Sequence, residues 1–476
     1  MHKYKYLLKN IGLLTISNFG TKILSFVLIP LYTSILSTAE FGTYDVYSTT
    51  VSLLVPVLTL NIIEGVMRFT LDETKDNTEI FTLGIKRIIV AILIFVVLDG
   101  VNAAFNLIPV FAQYWYYLLL LYLTYMFYTL LTQFARGVER VADVAAAGAL
   151  NSVVMLGLNI LFLVVFRMGL SGYFLANCLA YFVPITYLTI RLRAWKYIKF
   201  KRKNDKLKKE ILEYSRPLVF NNIAWWINNV SDRYIVTWLC GLGANGIYSV
   251  AYKIPSVLNI FQTIFNQAWT LSAVKEFDKN SGAFYSRIYR IYNCGMVTIC
   301  SFLVFLDRVI AHVLFKQEFF AAWQFAPFLM ISVVYGSLSG MLGGIFSAAK
   351  KSKIFARTTL LGAAVNTALN IALVYFMGPL GAAIATLVSY IIVWAARLIS
   401  ANKIVPLDIN LTRDIISYVL LIGQSVFWFL PLSTPLIYAG EGVFVLLILA
   451  LYIRDEISMF KELKDKFSKK KGKKNA

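Results

Sequence analysis

Several residues able to bind charge sit inside long apolar runs of this chain. Asn222, Trp226, Asn229 and Arg233 follow spacings of 4, 3 and 4, and Asn221, Trp225, Asn228 and Asp232 form the stripe beside them. On a helix such spacing places each set on one face, so the segment presents a broad polar wall. Lys22 and Lys253 are likewise embedded in apolar sequence. A charge at a bilayer centre costs at least about 2.5–3.5 kcal/mol, so each of these groups needs a partner, water or a ligand. Unpaired Lys22, Arg233 and Lys253 would suit an anion, and phosphate or diphosphate in particular. That chemistry is recognition rather than catalysis. The histidines are His2 and His312, and Cys178, Cys240, Cys294 and Cys300 show no CxxC spacing. Neither a metal site nor a histidine-based catalytic triad is expected, and without a GxxxxGK[ST] loop neither is ATP hydrolysis. No cofactor is implied.

The elements that must position these groups are membrane helices. The chain has 476 residues, 59% of them apolar, with a mean hydropathy of +0.68, against roughly 45–50% apolar in soluble domains. About fourteen stretches are long and apolar enough to span a bilayer. Among them are 11–36, 45–69, 80–105, 214–239 and 246–273, and the final short pair, 414–431 and 436–453, holds Pro431 and Pro435. The first run exceeds the core of a secretory signal and reads as a retained span. The net charge of +21 lies almost wholly in alternate loops; only Arg167, Arg308 and Lys316 fall on the other side. Short cytoplasmic loops carry such an excess, so both termini are expected inside. The basic loop Arg191–Glu210 and the tail "KELKDKFSKKKGKK" suit anionic inner-leaflet lipid and need no nucleic acid.

An offset of 204 residues lays "FGTYDVYSTTVSLL" (41–54) on "NGIYSVAYKIPSVL" (245–258), pairing Gly42 with Gly246 and Tyr44 with Tyr248. Later, "LNILFLVVFRMGLSGYFLANCLAY" (158–181) resembles "LNIALVYFMGPLGAAIATLVSY" (369–390), the first copy two residues longer between LNI and its glycines. Six helices separate equivalent positions, so the halves run parallel across the membrane, a transporter arrangement with a site between them. The expected division is an N-lobe over 1–194, a linker over 195–213, a C-lobe over 214–400, two further helices over 401–453 and a tail over 454–476. Under the offset, Asn18, Lys22 and Ser25 fall on Asn222, Trp226 and Asn229, so helix one offers a matching face. Glu64 and Arg68 are spaced for an (i, i+4) ion pair. Plain helix packing is the alternative reading for that pair and for the charges of helix seven. "YWYYLLLLYLTYMFY" (114–128) reads as interfacial aromatics, and "GMLGGIFSAAK" and "GPLGAAIA" as close helix packing.

The chain resembles the Wzx-type polysaccharide flippases, in the superfamily that also holds MATE exporters and the lipid II flippase. The residues that carry this are "NFGTKILSFVLIPLYTSILSTAEFGTYDVY", "QFARGVERVADVAAAGALNSVV", "YSRPLVFNNIAWWINNVSDRYIVTWLCGLGANGIYSVAYKIP" and "GPLGAA". The resemblance implies an all-α integral membrane protein with two six-helix lobes around a cationic central cavity plus two C-terminal helices. It implies alternating-access transfer of undecaprenyl-diphosphate-linked oligosaccharide from the inner to the outer leaflet of the cytoplasmic membrane, for O-antigen, capsule or exopolysaccharide synthesis. Carried onto this sequence, it places Arg216, Asp232, Arg233, Tyr234 and Lys253 at or near that cavity, with Lys22 and Arg68 opposite. For H+ or Na+ coupling the candidate carboxylates are Glu64, Asp99, Asp143 and Asp232, with Asp232 foremost. A polysaccharide polymerase is a conceivable partner. Competing readings are a MATE-like exporter, which calls for an acidic cavity, and a membrane glycosyltransferase or polymerase, which calls for a sizeable outer loop or an acidic pair.

Overall fold

The computed structural model describes residues 26–72, 74–199, 204–275 and 282–472. Asn18 and Lys22 lie outside them. Every regular element among the described residues is helical. Among the described residues nine helices are long and apolar enough to cross a membrane, and one bent pair makes a tenth if counted as a single span. The protein is a multi-pass membrane protein. Residues up to Thr237 together with Gly241–Gly246 form one compact unit; Trp238–Cys240 and the chain from Ile247 onward form another. The described part of the basic linker and most of the expected span 214–239 therefore belong to the first unit.

In the first unit the helices are α1 (Ile29–Ile35), α2 (Thr38–Leu58), α3 (Ile62–Thr70), α4 (Asn77–Phe105), α5 (Pro109–Ala112), α6 (Trp115–Gly137), α7 (Val141–Asn159), α8 (Gly169–Leu192) and most of α9 (Asp205–Ala251). Ser37 starts α2 with a capping box: its Oγ accepts from the Glu40 amide, and Glu40 accepts from the Ser37 amide at 2.8 Å. The expected span 45–69 is really two helices meeting at 63°. Leu60 and Asn61 at the bend both take positive φ, 53° and 54°, a strained conformation for residues with a Cβ. Carbonyls left open by the break are covered by Arg87 of α4, which donates to Thr59 O at 3.3 Å and Leu58 O at 3.1 Å, as a cation at a helix C-terminus should.

Residues Ile160–Val165 continue α7 as a π-helix. A π turn holds more residues than an α turn, so this winding takes up about one of the two extra residues that the first repeat copy carries after its LNI. Asn159 and its repeat mate Asn370 behave alike: both are fully buried and donate to the carbonyl four residues back, Met155 O at 2.7 Å and Asn366 O at 2.9 Å. The glycines paired by the offset lie against each other. A Cβ on Gly42 would stand 2.0 Å from Leu242 O, and one on Gly246 would stand 1.9 Å from Thr38 O, so backbones cross there at a distance only glycine permits. The unit's apolar core includes Tyr47, Phe81, Phe95, Tyr122, Phe134 and Phe174. Of the aromatic run, Trp115 and Tyr116 are exposed while Tyr117 and Tyr122 are buried in the core, so burial removes the latter two from an interfacial role.

The second unit contains α10 (Ser256–Lys275), α11 (Gly282–Phe305), α12 (Asp307–Leu314), α13 (Ala326–Ala348), α14 (Ser352–Met377), α15 (Pro379–Asn402), α16 (Leu411–Phe427) and α17 (Thr434–Gly472). α13 is its most enclosed span, and Gly343 and Gly344 leave the space taken by Phe355 and Trp269. Helices α16 and α17, outside the repeat, attach to α11 through buried hydrogen bonds. Tyr418 donates to Asn293 Oδ1 at 2.8 Å, and Asn293 donates to the Tyr452 hydroxyl at 2.9 Å.

Candidate functional site

The polar face of α9 is turned onto α2 and α3, where it forms a ladder of contacts. Arg233 Nη1 donates to Asp45 Oδ1 at 2.6 Å, the two side chains being 18% and 13% exposed. Asn245 reaches the other Asp45 oxygen at 3.4 Å. The Tyr234 hydroxyl lies 2.5 Å from Thr50 Oγ1, the Trp226 indole donates to Thr49 O at 3.0 Å, and the two rings sit 5.0 Å apart. Lower on the helix, Asn222 Nδ2 donates to Asn61 Oδ1 at 3.1 Å. The α2/α3 bend positions Asn61 for this contact, and its own amide nitrogen, buried, has no hydrogen-bond partner.

Beside the ladder a cavity of about 260 Å³ opens at the bend, lined among others by Ser52, Thr59, Asn61, Glu64, Tyr125 and Asn222. The lining combines an aromatic face with hydroxyl, amide and carboxylate groups. Such a set can stack on and hydrogen-bond a polar, hydroxyl-rich ligand within an apolar protein.

Trp226, Asn222, Arg233 and Tyr234 are thus brought together, and Glu64 shares the cavity with Asn222. The expected ion pair of Glu64 with Arg68 is not formed: Glu64 Oε1 accepts from Gln133 Nε2 at 2.7 Å, and Arg68 is exposed near the end of α3. Arg233 is not an unpaired cation, because Asp45 neutralises it. Asp232 is buried and accepts from the Arg233 amide at 2.9 Å. Asn229 is exposed and donates to Trp225 O. Arg216 is exposed on the first part of α9, near Lys208 and Lys209. Lys253 stands in the second unit, in the turn between α9 and α10. Asp143 is held by Arg140 at 2.8 Å, Arg191 at 3.0 Å and the Tyr187 hydroxyl at 2.9 Å, an arrangement suited to fixing helix ends. Asp99 is buried, and neither of its oxygens is hydrogen-bonded.

Two residues that build the ladder and its bend carry little mark in the sequence. Asp45 was the first residue of a span assumed to begin there, but α2 starts at Thr38 and places Asp45 two turns inside. Its signal was the i+4 spacing to Thr49 on a face that also carries Thr50. Arg87 lies within the expected span 80–105, and nothing in the sequence marks it as the group that covers the α2/α3 break.

Residues 7–270 match the family described as polysaccharide biosynthesis protein, which is more than half of the 476 residues. The chain belongs to the polysaccharide biosynthesis protein family. Among curated relatives of this family member, the uncharacterized membrane protein MJ1068 of Methanocaldococcus jannaschii is 24% identical over 267 residues, 50% of this chain and 51% of that one. The probable low-salt glycan biosynthesis flippase Agl15 of Haloferax volcanii is 23% identical over 195 residues, 40% of this chain and 41% of that one. The chain spans about half the length of the curated relatives it matches. Its fold is that of lipid II flippase MurJ in an inward closed conformation, with a TM-score of 0.70 at 13% identity over 93% of this chain and 99% of that one. An inward-facing multidrug resistance MATE family transporter of the MOP superfamily also matches, with a TM-score of 0.64 at 12% identity over 80% and 95%.

Proposed function

We propose that this member of the polysaccharide biosynthesis family is a flippase for lipid-diphosphate-linked oligosaccharide. The observation that carries the reading is the polar ladder and cavity of the first unit, built from α2, α3, α6 and α9 within apolar helices. A glycan is a string of hydroxyls with apolar ring faces, and Tyr125, Asn61, Asn222 and Glu64 meet both needs. The diphosphate calls for cations, for which Arg233, Lys253, Lys22, Arg68 and Arg216 are the candidates; Arg233 would have to exchange Asp45 for phosphate oxygens during the cycle. Undecaprenyl diphosphate is the proposed carrier, delivered from the inner to the outer leaflet of the cytoplasmic membrane with both termini inside. Residues 1–194 and 214–400 would be the alternating halves, 401–453 an accessory pair. Coupling to H+ or Na+ through Asp232 or Glu64, contact with anionic lipid at 195–213 and 454–476, and cooperation with a polymerase complete the reading.

Its test is transfer of a fluorescent lipid-diphosphate oligosaccharide across proteoliposomes, read by access of an impermeant quencher. Loss of transfer in Arg233→Ala at unchanged reconstitution supports the reading. Efflux of cationic dyes without transfer of the lipid would replace it with a drug exporter.

A further inference from the structure

In the second unit two acids are buried without hydrogen bonds. Asp307 opens α12 directly after α11, and Glu441 lies on α17 between Gly440 and Gly442. Both have 0% exposure. None of their four carboxylate oxygens has a hydrogen-bond partner. The two stand at one place: the Phe305 ring, two residues before Asp307, lies 6.0 Å from the Tyr438 ring, one turn before Glu441, and Arg308 lies against Trp428, whose ring is 5.3 Å from that of Tyr438.

Arg308 does not close the site. Its guanidinium sits 4.0 Å from the Trp323 ring and 4.8 Å from the Trp428 ring, and it donates to Trp428 O at 3.1 Å. No Arg308 nitrogen comes within 4.0 Å of either acid, and its Nε is itself unbonded. Gln424, next to Glu441, accepts from Ser301 at 2.9 Å and gives one of its two amide hydrogens to Ser301 O at 3.1 Å. Other titratable groups nearby are Tyr438, which lies against Phe305 and Trp428, and the exposed His312, Lys316 and Glu318. On α16, Asp414 is engaged by Arg413 and Tyr452.

Two carboxylates and one guanidinium sum to one negative charge in a place without water-facing surface. Such a charge persists only when matched. Two acids that share a site cannot both be ionised cheaply, and one proton between them, or one small cation held by their oxygens, removes the excess. Arg308 supplies half of the neutralisation and the aromatic pair fixes it at a distance. We propose that Asp307 and Glu441 form a binding site for one monovalent cation, H+ or Na+, per chain.

The test uses full-length protein purified in detergent in a Na+-free potassium buffer, with no substrate present. Binding of radioactive Na+ and proton uptake after an acid step are measured for the wild type and for the Asp307→Asn/Glu441→Gln double variant. Saturable Na+ binding at one per chain, competed by acid and lost in the variant, supports the site with sodium as occupant. Absence of Na+ binding, with one proton fewer taken up by the variant, supports it with the proton. Equal Na+ binding and equal proton uptake overturn it. Should the double variant fail to fold, wild-type protein is treated with dicyclohexylcarbodiimide, which adds to protonated carboxyls in apolar surroundings. Label on Asp307 or Glu441 in peptide mass spectra supports the site, and its absence there overturns it. Because binding is read without lipid substrate, failure here leaves the flippase reading standing, and failure of transfer leaves this site standing.

Discussion

Arg233 and Asp45, 188 residues apart, show what a single contact changes. A lone arginine in an apolar helix would be a standing anion trap; a paired one binds phosphate only if the pair opens. Removing one member strands the other, which costs about 3–5 kcal/mol for a buried pair, and the low end applies here because both side chains keep some exposure. Arg233→Ala is therefore expected to lower the melting temperature in detergent as well as stop transfer. The Asp45→Asn/Arg233→Gln double variant should recover most of the melting temperature yet remain inactive. Recovery of both would mean that the pair serves packing alone, and would remove Arg233 from the substrate site.

Between elements, two devices govern how α9 meets its neighbours in the first unit. At one end Gly42 and Gly246 allow backbone contact, so Gly42→Ala or Gly246→Ala should cost about 1–3 kcal/mol through overpacking, seen as a drop in the melting temperature with unchanged membrane insertion. At the other end the loop after α3 is tied to the start of α9: Lys75 pairs with Glu210 and lies 4.4 Å from the Phe69 ring centroid. The hydrogen bond from Lys75 holds the Glu210 carboxyl below its ordinary value of 4.5. A depressed carboxylate contributes its stabilisation above that ordinary value and loses it as pH falls through the folded value. Glu210→Gln at neutral pH should reproduce the low-pH state, with faster amide exchange over residues 74–78 and little change in α4 beyond its first turn. Unchanged exchange in that segment would show that the tie is not holding the loop.

For the whole molecule, orientation is the property most open to direct measurement. Among the described residues Cys240 is the exposed cysteine, while Cys178, Cys294 and Cys300 are buried. Cys240 lies just before Gly241, whose φ of 86° breaks α9, at the end expected to face outward. A membrane-impermeant maleimide should label it in intact cells. Labelling only in inverted vesicles would reverse the topology and with it the proposed direction of transfer.

Hydropathy and charge are sums over neighbours in the chain, and for that reason the membrane class, the helical fold, most span limits and the polar face of α9 were legible in residue order alone. The 3.6-residue period even selected Asn222, Trp226 and Arg233 as companions. What they touch was decided by tertiary structure. Asp45 became the partner of Arg233 because α2 begins earlier than hydropathy suggests. Glu64 turned to Gln133 because the bend at Leu60 and Asn61 re-aimed α3, and a backbone in positive φ leaves no mark in composition. Asp307 and Glu441 had no spacing to betray them, since they stand on helices distant in sequence. Local patterns report which face of a helix is polar; only packing determines which charge on another helix answers it.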